Sequence, residues 1–352
     1  MKNKIGTYQS FALYTIYIFG SIATIGGQNE AGKDAYLAFL AGGLASLPIY
    51  KLYMSNTLKN GCGAKYEKTL MLILEIFSIF VASVSQAVLI LFISQMNLVL
   101  TPHIIIAAFI AASVMYIGIK GVTVLARCAE ILFPLTAAMM IFAALSSVHQ
   151  ADFTLLLPIF QKGILNFLNG AFTSFMFPFA EGFFAVFMIN RCTEGQKGQN
   201  GVRASVIFCS VFLAVFFANN MAVLGVPFAS QLYFPSYAVV SLVTLSSFFQ
   251  RLEIFMAVVF MVCQLFKICM LTIFAREAVE EVRGHKMAFF PIVAIVFNVS
   301  LLMFKGITAA FEFLLVYRYI MTVGVLVCPV LLFLARKAKR DREEAKKEQA
   351  ET

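Results

Sequence analysis

Apolar residues fill this chain in long continuous runs that are separated by short polar segments. The runs do not alternate apolar with polar positions, which indicates helices and not strands. A helix needs about 20 apolar residues to cross a hydrocarbon core of roughly 30 Å, and only helices or closed barrels satisfy their backbone there. The pattern therefore predicts an all-α polytopic membrane protein. The predicted protein has ten transmembrane helices. They are named spans 1 to 10 and cover residues 8–29, 35–54, 69–95, 103–119, 124–146, 164–190, 203–225, 251–275, 287–304 and 309–335.

The composition leaves no room for a separate soluble domain. Hydrophobic residues make up 61% and charged residues 13% of the 352 positions, whereas a soluble domain has about a quarter of its residues charged. We expect no removable signal peptide, because no small-residue cleavage site follows a short apolar core. The net charge of +9 is spread over short loops and one tail, which argues against nucleic acid as a partner.

The distribution of basic residues predicts the orientation. Most of the 27 Lys and Arg residues fall in segments on one side of the predicted membrane, and only Lys33, Lys162, Lys305 and Arg251 fall on the other. Because cytoplasmic loops carry the excess of basic residues, we predict that both termini are cytoplasmic. The basic and acidic tail 336–352 then lies in the cytoplasm near anionic headgroups.

Residues 227–249 are uncharged and long enough to be an eleventh span. A further crossing would move the basic tail outside, against the charge bias. Pro227 and Pro235, with serines and tyrosines between the two flanking spans, instead predict a helical cap on the outer face.

Two spans carry interruptions at corresponding places. Span 1 contains Gly20-Ser21-Ile22-Ala23-Thr24-Ile25-Gly26-Gly27, and span 6 contains Phe177-Pro178-Phe179-Ala180-Glu181-Gly182. Such broken helices in matching positions mark the ligand site of inverted-repeat transporters. We predict a first five-helix repeat at 1–163 and a second at 164–335. The alternative is that the glycines only permit close helix packing and that Pro178 only kinks span 6.

An unwound helix frees backbone groups that can bind a ligand. The N-terminus of a half-helix attracts a carboxylate, and freed carbonyl groups accept hydrogen bonds from an ammonium group, which together suit a zwitterionic amino acid. The candidate ligand-binding residues are Gly20, Ser21, Ile22, Thr24, Gly26, Phe177, Pro178 and Glu181.

Two ionisable residues inside spans are candidates for function, since such residues are costly in a membrane. Glu181 could bind a ligand ammonium group or carry a proton, or it could cap the half-helix that follows it. For Lys267 in span 8, the hypothesis is a tethered cation in the place where sodium-coupled proteins of this architecture hold a sodium ion between spans 1 and 8. The alternative is a lysine that extends to the cytoplasmic surface.

Other charged residues are interpreted as structural. Arg127 and Glu130 are three apart and can pair on one helix face. Arg251 and Glu253 are two apart, so we expect each to anchor span 8 to another element. Glu75 is expected to be structural, and Glu312 and Arg318 to need partners elsewhere. The seven cysteines are scattered without metal-ligand or redox spacing, no soluble-enzyme motif is present, and we expect no metal, no cofactor and no catalytic activity.

Several stretches, in order along the chain, resemble one family. They are Ala31 to Leu37 (AGKDAYL), Gly118 to Glu130 (GIKGVTVLARCAE), Leu157-Pro158-Ile159, Phe177 to Glu181 (FPFAE), Phe234 to Tyr237 (FPSY) and Arg251-Leu252-Glu253. Together they resemble the spore germination permeases, the GerAB-type B subunits of nutrient germinant receptors in the amino acid–polyamine–organocation superfamily.

This resemblance implies a LeuT-type ten-helix fold with broken helices 1 and 6, in the spore inner membrane of an endospore former. It also implies a receptor subunit that senses a small nutrient, commonly an amino acid, and acts with an A-type membrane subunit and a C-type lipoprotein subunit. The sequence leaves two alternatives open: an amino-acid or amine transporter of the same superfamily, and a channel-like membrane subunit.

Overall fold

The computed structural model describes residues 5–21, 30–55, 65–96, 98–193, 196–242, 251–283 and 289–327, with three single positions, 330, 331 and 334. Within these ranges the chain is helical and contains no strand. The helices are α1 Thr7–Phe19, α2 Ala35–Ser55, α3 Lys65–Met96, α4 His103–Lys120, α5 Val122–Ser147, α6 Ile164–Ser174, α7 Phe183–Cys192, α8 Gln196–Leu224, α9 Val226–Ala229, α10 Pro235–Ser241, α11 Glu253–Arg283, α12 Phe289–Met303 and α13 Ile307–Met321.

Seven helical stretches in the described part of the chain are long and apolar enough to cross a membrane. They are Lys68–Met96, His103–Lys120, Val122–Gln150, Ile164–Asn190, Lys197–Leu224, Glu253–Glu280 and Ile307–Gly324. Each coincides with one of the predicted spans 3 to 8 and 10. Spans 1, 2 and 9 coincide with α1, α2 and the shorter α12, so the count of ten stays a prediction.

Three helices extend beyond the predicted spans. α3 begins at Lys65 instead of residue 69, α8 begins at Gln196 instead of residue 203, and α11 continues to Arg283 instead of ending at residue 275. The prediction followed apolar residues only. A helix whose backbone is already hydrogen-bonded can continue into polar surroundings, where charged side chains are solvated.

Glycines mark two of the sharp connections. Gly121, with φ 83°, joins α4 to α5 without a loop, and Gly163, with φ 85°, precedes α6. Positive φ values are costly for residues with a Cβ atom, so these two glycines determine where the helices turn.

The segment predicted as an outer cap contains two short helices. α9 has four residues and α10 has seven, so neither can span a membrane. The Asn220 amide on α8 donates to the Ser236 hydroxyl on α10 at 2.8 Å, which holds this segment against the bundle. Residues 243–249 of the predicted cap and the tail 336–352 lie outside the described residues.

α1 and α11 form the centre of the bundle. Residues from Ala12 to Phe19 of α1 are all at most 2% exposed, polar ones included. α1 packs against α5, α8 and α11, and the most extensive helix pair is α3 with α11. α4 and α5, in contrast, expose large apolar side chains along one face, which suits contact with lipid. The functional candidates therefore lie on the most enclosed helices.

Candidate functional site

Span 6 is interrupted where the sequence predicts. α6 ends at Ser174, a π-helical segment covers Phe175–Phe179, and α7 begins at Phe183 after a short 3₁₀ turn. Inside the segment, Phe177 is extended, with φ −137° and ψ 114°. Pro178 explains this conformation, because a proline lacks an N–H and pushes the preceding residue out of the helical region.

The 3₁₀ turn places Glu181 in an ion pair at the centre of the bundle. Glu181 Oε1 lies 2.7 Å from Lys267 Nζ of α11, and the two side chains are 0% and 2% exposed. Lys267 Nζ also donates to the buried Ser21 hydroxyl at 2.9 Å. These three residues, named the buried ion centre, join the end of α1, the span 6 break and α11.

Two aromatic rings complete the surroundings of the ammonium group. Lys267 Nζ lies 5.0 Å from the centroid of the Phe177 ring and 5.9 Å from that of Tyr17. Ring faces attract cations at such distances, more strongly when water is excluded. The ammonium is therefore stabilised by a carboxylate, a hydroxyl and two ring faces, which offset part of the cost of removing it from water.

Tyrosine hydroxyls bind backbone carbonyl oxygens at the break in span 6. Tyr17 donates to the Glu181 carbonyl oxygen at 3.1 Å, and Tyr50 of α2 donates to the Phe179 carbonyl oxygen at 2.6 Å. The Tyr14 hydroxyl is hydrogen-bonded to that of Tyr50. Hydrogen bonds of this kind are strong in a membrane interior, where little water competes for them, so these side chains stabilise the chain at the break.

These three tyrosines were not among the predicted site residues. The available signal is that Tyr14 and Tyr17, three residues apart, share one face of a span that must pack inside the protein. A tyrosine buried in an apolar span needs a hydrogen-bond partner, and a broken helix supplies carbonyl oxygens.

Close packing requires glycine at two positions beside the centre. A Cβ atom on Gly182 would lie 2.0 Å from the Tyr14 hydroxyl oxygen, and one on Gly20 would lie 2.7 Å from the Cys263 carbonyl oxygen. The glycine-rich pattern at the end of α1 therefore serves helix packing at Gly20, as the alternative interpretation held for the glycines. Both glycines let neighbouring elements approach the buried ion centre.

The predicted ligand-binding residues are only partly described. Gly20 and Ser21 follow α1, and Phe177, Pro178 and Glu181 lie in the span 6 break, so the structure brings the two groups together. Ile22, Thr24 and Gly26 lie outside the described residues. A role for any of them in ligand binding stays a prediction.

Lys267 contacts span 1 through Ser21, as the tethered-cation hypothesis requires, but its shortest polar contact is with Glu181 of span 6. Each residue was predicted separately as a functional candidate, and their ion pair was not predicted. The alternative of a lysine extending to the surface does not fit a side chain that is 2% exposed.

Two expectations about structural ion pairs were wrong. Arg127 is exposed on α5 and makes no ion pair with Glu130, both residues being described; Glu130 accepts instead from the Gln9 amide at 2.8 Å. Arg251 does pair with Glu253, with 3.2 Å between Nε and Oε1. The helical spacing rule does not apply to this pair, because α11 begins at Glu253 and Arg251 lies before it.

Arg318 of α13 has partners from elements distant in sequence, as expected. Its guanidinium donates to Glu30 Oε1 at 2.6 Å and to the Thr173 hydroxyl at 2.6 Å. These residues, named the outer ion cluster, connect the segment after span 1, α6 and α13. Glu312 is exposed on α13, and Glu75 is half-buried on α3.

The described residues contain no group of three or more His, Cys, Asp or Glu side chains that could hold a metal ion. Of the cysteines, Cys128, Cys192, Cys209, Cys263 and Cys269 are free thiols. The groups that the buried ion centre presents are a charge pair, a hydroxyl group and two aromatic rings.

Comparison with known proteins gives one family and one fold. Residues 4–310 match the sequence model of the family described as "Spore germination protein" (Spore_permease). The "Spore germination protein KB" of Bacillus subtilis (strain 168) is 26% identical over 285 residues, which are 76% of this chain and 75% of that protein.

Solved structures share the architecture at low sequence identity. Mhp1, a nucleobase-cation-symport-1 family transporter solved in a closed conformation with bromovinylhydantoin bound, aligns with a TM-score of 0.62 and 14% identity, over 94% of this chain and 80% of that one. A mutant of the manganese transporter of Eremococcus coleocola aligns with a TM-score of 0.51 and 10% identity, over 93% and 75% of the two chains. These likenesses establish a LeuT-type helical fold.

Proposed function

The chain belongs to the spore germination permease family, and on this premise we propose that it is the membrane subunit of a spore nutrient germinant receptor. It binds a small nutrient, an amino acid, at mid-membrane and triggers germination by a conformational change. The observation that carries this proposal is the buried ion centre, which ties the end of α1, the span 6 break and α11 together through charged side chains.

A charge pair is an expensive way to hold helices together in a membrane. An apolar contact of the same size would stabilise as well or better, so the presence of Glu181 and Lys267 at the break favours a binding role over a purely structural one. The pair has no net charge, which suits a zwitterionic or uncharged ligand. The N-terminus of α7 begins directly after this turn and supplies a partial positive charge for a carboxylate.

The nutrient acts by stabilising one conformer over another. It can shift their balance only by its differential affinity for the two. Contacts that span the breaks of spans 1 and 6 meet this requirement, since a movement between the two halves of a span would change them. Ser21, Phe177, Pro178 and Glu181 line this boundary, and Lys267 serves as the tethered cation between spans 1 and 8.

By analogy with the family, the subunit acts together with an A-type membrane subunit and a C-type lipoprotein subunit, which convert its conformational change into a signal. It resides in the spore inner membrane, with both termini in the cytoplasm and the short helices α9 and α10 on the outer face. Binding and signalling then require no catalytic step.

Ligand-dependent stabilisation of the purified full-length protein tests the proposal. The wild type, Glu181→Gln and the control Glu312→Gln, which alters an exposed carboxylate of α13, are heated with a panel of amino acids, sugars and nucleosides. We expect one nutrient to raise the melting temperature of the wild type and of the control but not of Glu181→Gln. Spores that carry the wild type or the control should germinate in response to that nutrient, and spores that carry Glu181→Gln should not. An equal response of Glu181→Gln and the control would contradict the proposal.

Transport of an amino acid or amine is the second candidate, favoured by the fold shared with two transporters. Flux separates the candidates. Accumulation of the stabilising nutrient inside proteoliposomes that contain the purified protein would support transport, and binding without accumulation would support sensing.

A further inference from the structure

One buried side chain, three residues before Lys267 on α11, takes no part in the buried ion centre. Gln264 of α11 is 0% exposed, and neither its amide oxygen nor its amide nitrogen has a hydrogen-bond partner among the described residues. Buried polar groups in proteins are nearly always paired. An amide with both atoms unpaired therefore indicates a partner from outside these residues.

The position of Gln264 on α11 relates it to the site. Phe260, Gln264 and Lys267 follow each other at spacings of four and three residues, so they share one face of the helix. The Phe260 ring stacks on Phe92 of α3 with 4.3 Å between centroids, and Lys267 enters the buried ion centre. Gln264 therefore lies between an aromatic contact and the charge pair.

A second amide of the same kind lies on the opposing helix. Gln86 of α3 is 1% exposed, and its amide nitrogen has no hydrogen-bond partner within the described ranges. Spans 3 and 8 run in opposite directions in the predicted topology. Gln86 lies six residues before Phe92, which is about 9 Å along α3, and Gln264 lies four residues after Phe260, which is about 6 Å along α11. In that topology both amides lie on the cytoplasmic side of the stacked rings. The two amides are therefore at similar depth.

The ion centre supplies one more unpaired atom. Oε2 of Glu181 is buried and accepts no hydrogen bond from the residues that the structure describes. Together, the three side chains leave two N–H donors, on Gln86 and Gln264, and two acceptors, on Gln264 and Glu181. A donor and an acceptor on one planar amide match a ligand edge that presents the complementary pair side by side.

We propose that the nutrient site extends outward from the ion centre to Gln264 and Gln86, and that it selects a neutral ligand with a carboxamide or lactam edge. This inference rests on the proposed function and names the ligand chemistry of the same site. Gln264 is the specificity-determining residue: its amide nitrogen donates to the ligand carbonyl oxygen, and its amide oxygen accepts from the ligand N–H. Gln86 adds a second donor to the same carbonyl.

The same geometry predicts which ligands are rejected. A ligand of equal shape without polar atoms leaves the two amides unpaired, and a carboxylate offers no donor to the Gln264 oxygen and adds a net charge to a neutral site. Asparagine, leucine and aspartate have the same branched shape beyond Cβ and differ only in this chemistry. Uracil carries a lactam edge without the amino-acid backbone. These four compounds are the probes.

The experiment measures stabilisation of the purified full-length wild type, Gln264→Met and Gln86→Met as each probe is titrated. We expect asparagine or uracil to stabilise the wild type, with leucine and aspartate at least about tenfold weaker. In Gln264→Met this preference should disappear, and leucine should bind as well as asparagine. A response to asparagine but not uracil identifies the carboxamide as the ligand, and the reverse identifies the lactam.

A second readout separates ligand recognition from a structural role. Because the Gln264 amide is unpaired, its replacement by methionine removes two buried polar atoms without breaking a hydrogen bond. The melting temperature of the ligand-free variant should therefore equal or exceed that of the wild type. Asn190→Leu, which removes a buried amide that donates to the Met54 carbonyl oxygen at 3.1 Å, is the matched control and should melt lower.

Three results would overturn the inference. Leucine binding the wild type as well as asparagine would do so, as would a preference that survives in Gln264→Met. The third is stabilisation of the wild type, dependent on Glu181, by simple aliphatic amino acids only; this result leaves the proposed function intact and removes the ligand class. Absence of any stabilisation in the wild-type panel contradicts both.

Discussion

The buried ion centre and the outer ion cluster use the same chemistry in different surroundings. In each, a cation on a helix of the second half binds a glutamate and a hydroxyl from other elements: Lys267 with Glu181 and Ser21, and Arg318 with Glu30 and Thr173. The Glu181 and Lys267 side chains are 0% and 2% exposed, whereas those of Arg318 and Glu30 are 13% and 38% exposed. Distance is similar in the two pairs, so the difference in burial determines what each contributes.

Because the inner pair is buried, neither of its charges is tolerated without the other. A charge left alone at the centre cannot be solvated, so removing either partner is more costly than the pair itself is stabilising. At the outer cluster, water and salt reach the glutamate and can replace a lost partner. Loss of one partner is therefore expected to lower the stability of the whole bundle strongly at the inner pair and only modestly at the outer pair.

The largest effect is expected from Lys267→Met, which leaves the Glu181 carboxylate buried without its cation. The free energy of unfolding should fall by about 3–5 kcal/mol, seen as a much lower melting temperature of the purified protein. The double variant Glu181→Gln with Lys267→Met, which removes both charges, should recover most of the loss. A single variant that melts like the wild type would show that burial does not distinguish the two regions.

Gly182→Ala tests the inner region through packing instead of charge. The new Cβ atom would lie 2.0 Å from the Tyr14 hydroxyl oxygen, and such overpacking costs about 1–3 kcal/mol. Thermal unfolding should show the loss, and Tyr14→Phe in the same chain should return part of it by removing the clashing oxygen. An additive loss in the double variant would be evidence against this contact.

Arg318→Met is the matched counterpart of Lys267→Met in the outer cluster. We expect a smaller loss, about 1–2 kcal/mol, because Glu30 remains partly solvated when its partner is removed. The loss should shrink further when the salt concentration is raised, since salt screens exposed charges, whereas the loss in Lys267→Met should not change. Equal salt dependence of the two variants would remove the contrast between the regions.

The smallest effect is expected at Asp152, a carboxylate in an outer connection that is not buried at all. Hydrogen bonds from the Thr154 hydroxyl and backbone N–H hold the pKa of Asp152 below its usual value. A lowered folded-state pKa means that the carboxylate stabilises the fold above its unfolded pKa, near 3.9, and that this contribution is lost as the pH falls through the folded-state value. Melting curves taken from neutral pH to about pH 3 should therefore show slightly less acid sensitivity in Asp152→Asn than in the wild type, and no difference between Thr154→Ser and the wild type.

The fold followed from the sequence to a large extent, because the requirement for apolar length and internal hydrogen bonding leaves few options in a membrane. The break in span 6 also followed, since Pro178 constrains its own and the preceding residue wherever it lies. The family resemblance read from FPFAE and the other motifs agrees with the family match over residues 4–310.

Contacts between distant elements did not follow. Glu181 and Lys267 were each recognisable as costly residues, but their pairing depends on how the break in span 6 rotates against α11, which no local spacing encodes. For Arg251 and Glu253 the opposite happened: the helical spacing rule excluded a pair that does form. The rule does not apply there, because α11 begins only at Glu253. The roles of Tyr14, Tyr17 and Tyr50 depend on which carbonyl oxygens of the span 6 break come within reach of their hydroxyls.

The neutrality of the buried ion centre also bears on the electrical state of the membrane. Moving one elementary charge through the full membrane potential involves about 2.3 kcal/mol per 100 mV. Glu181 and Lys267 carry opposite charges 2.7 Å apart, so a rearrangement that moves them together transfers no net charge, and the work against the field cancels. A conformational change in which these two side chains move as a unit would therefore draw no work from the membrane potential through this pair.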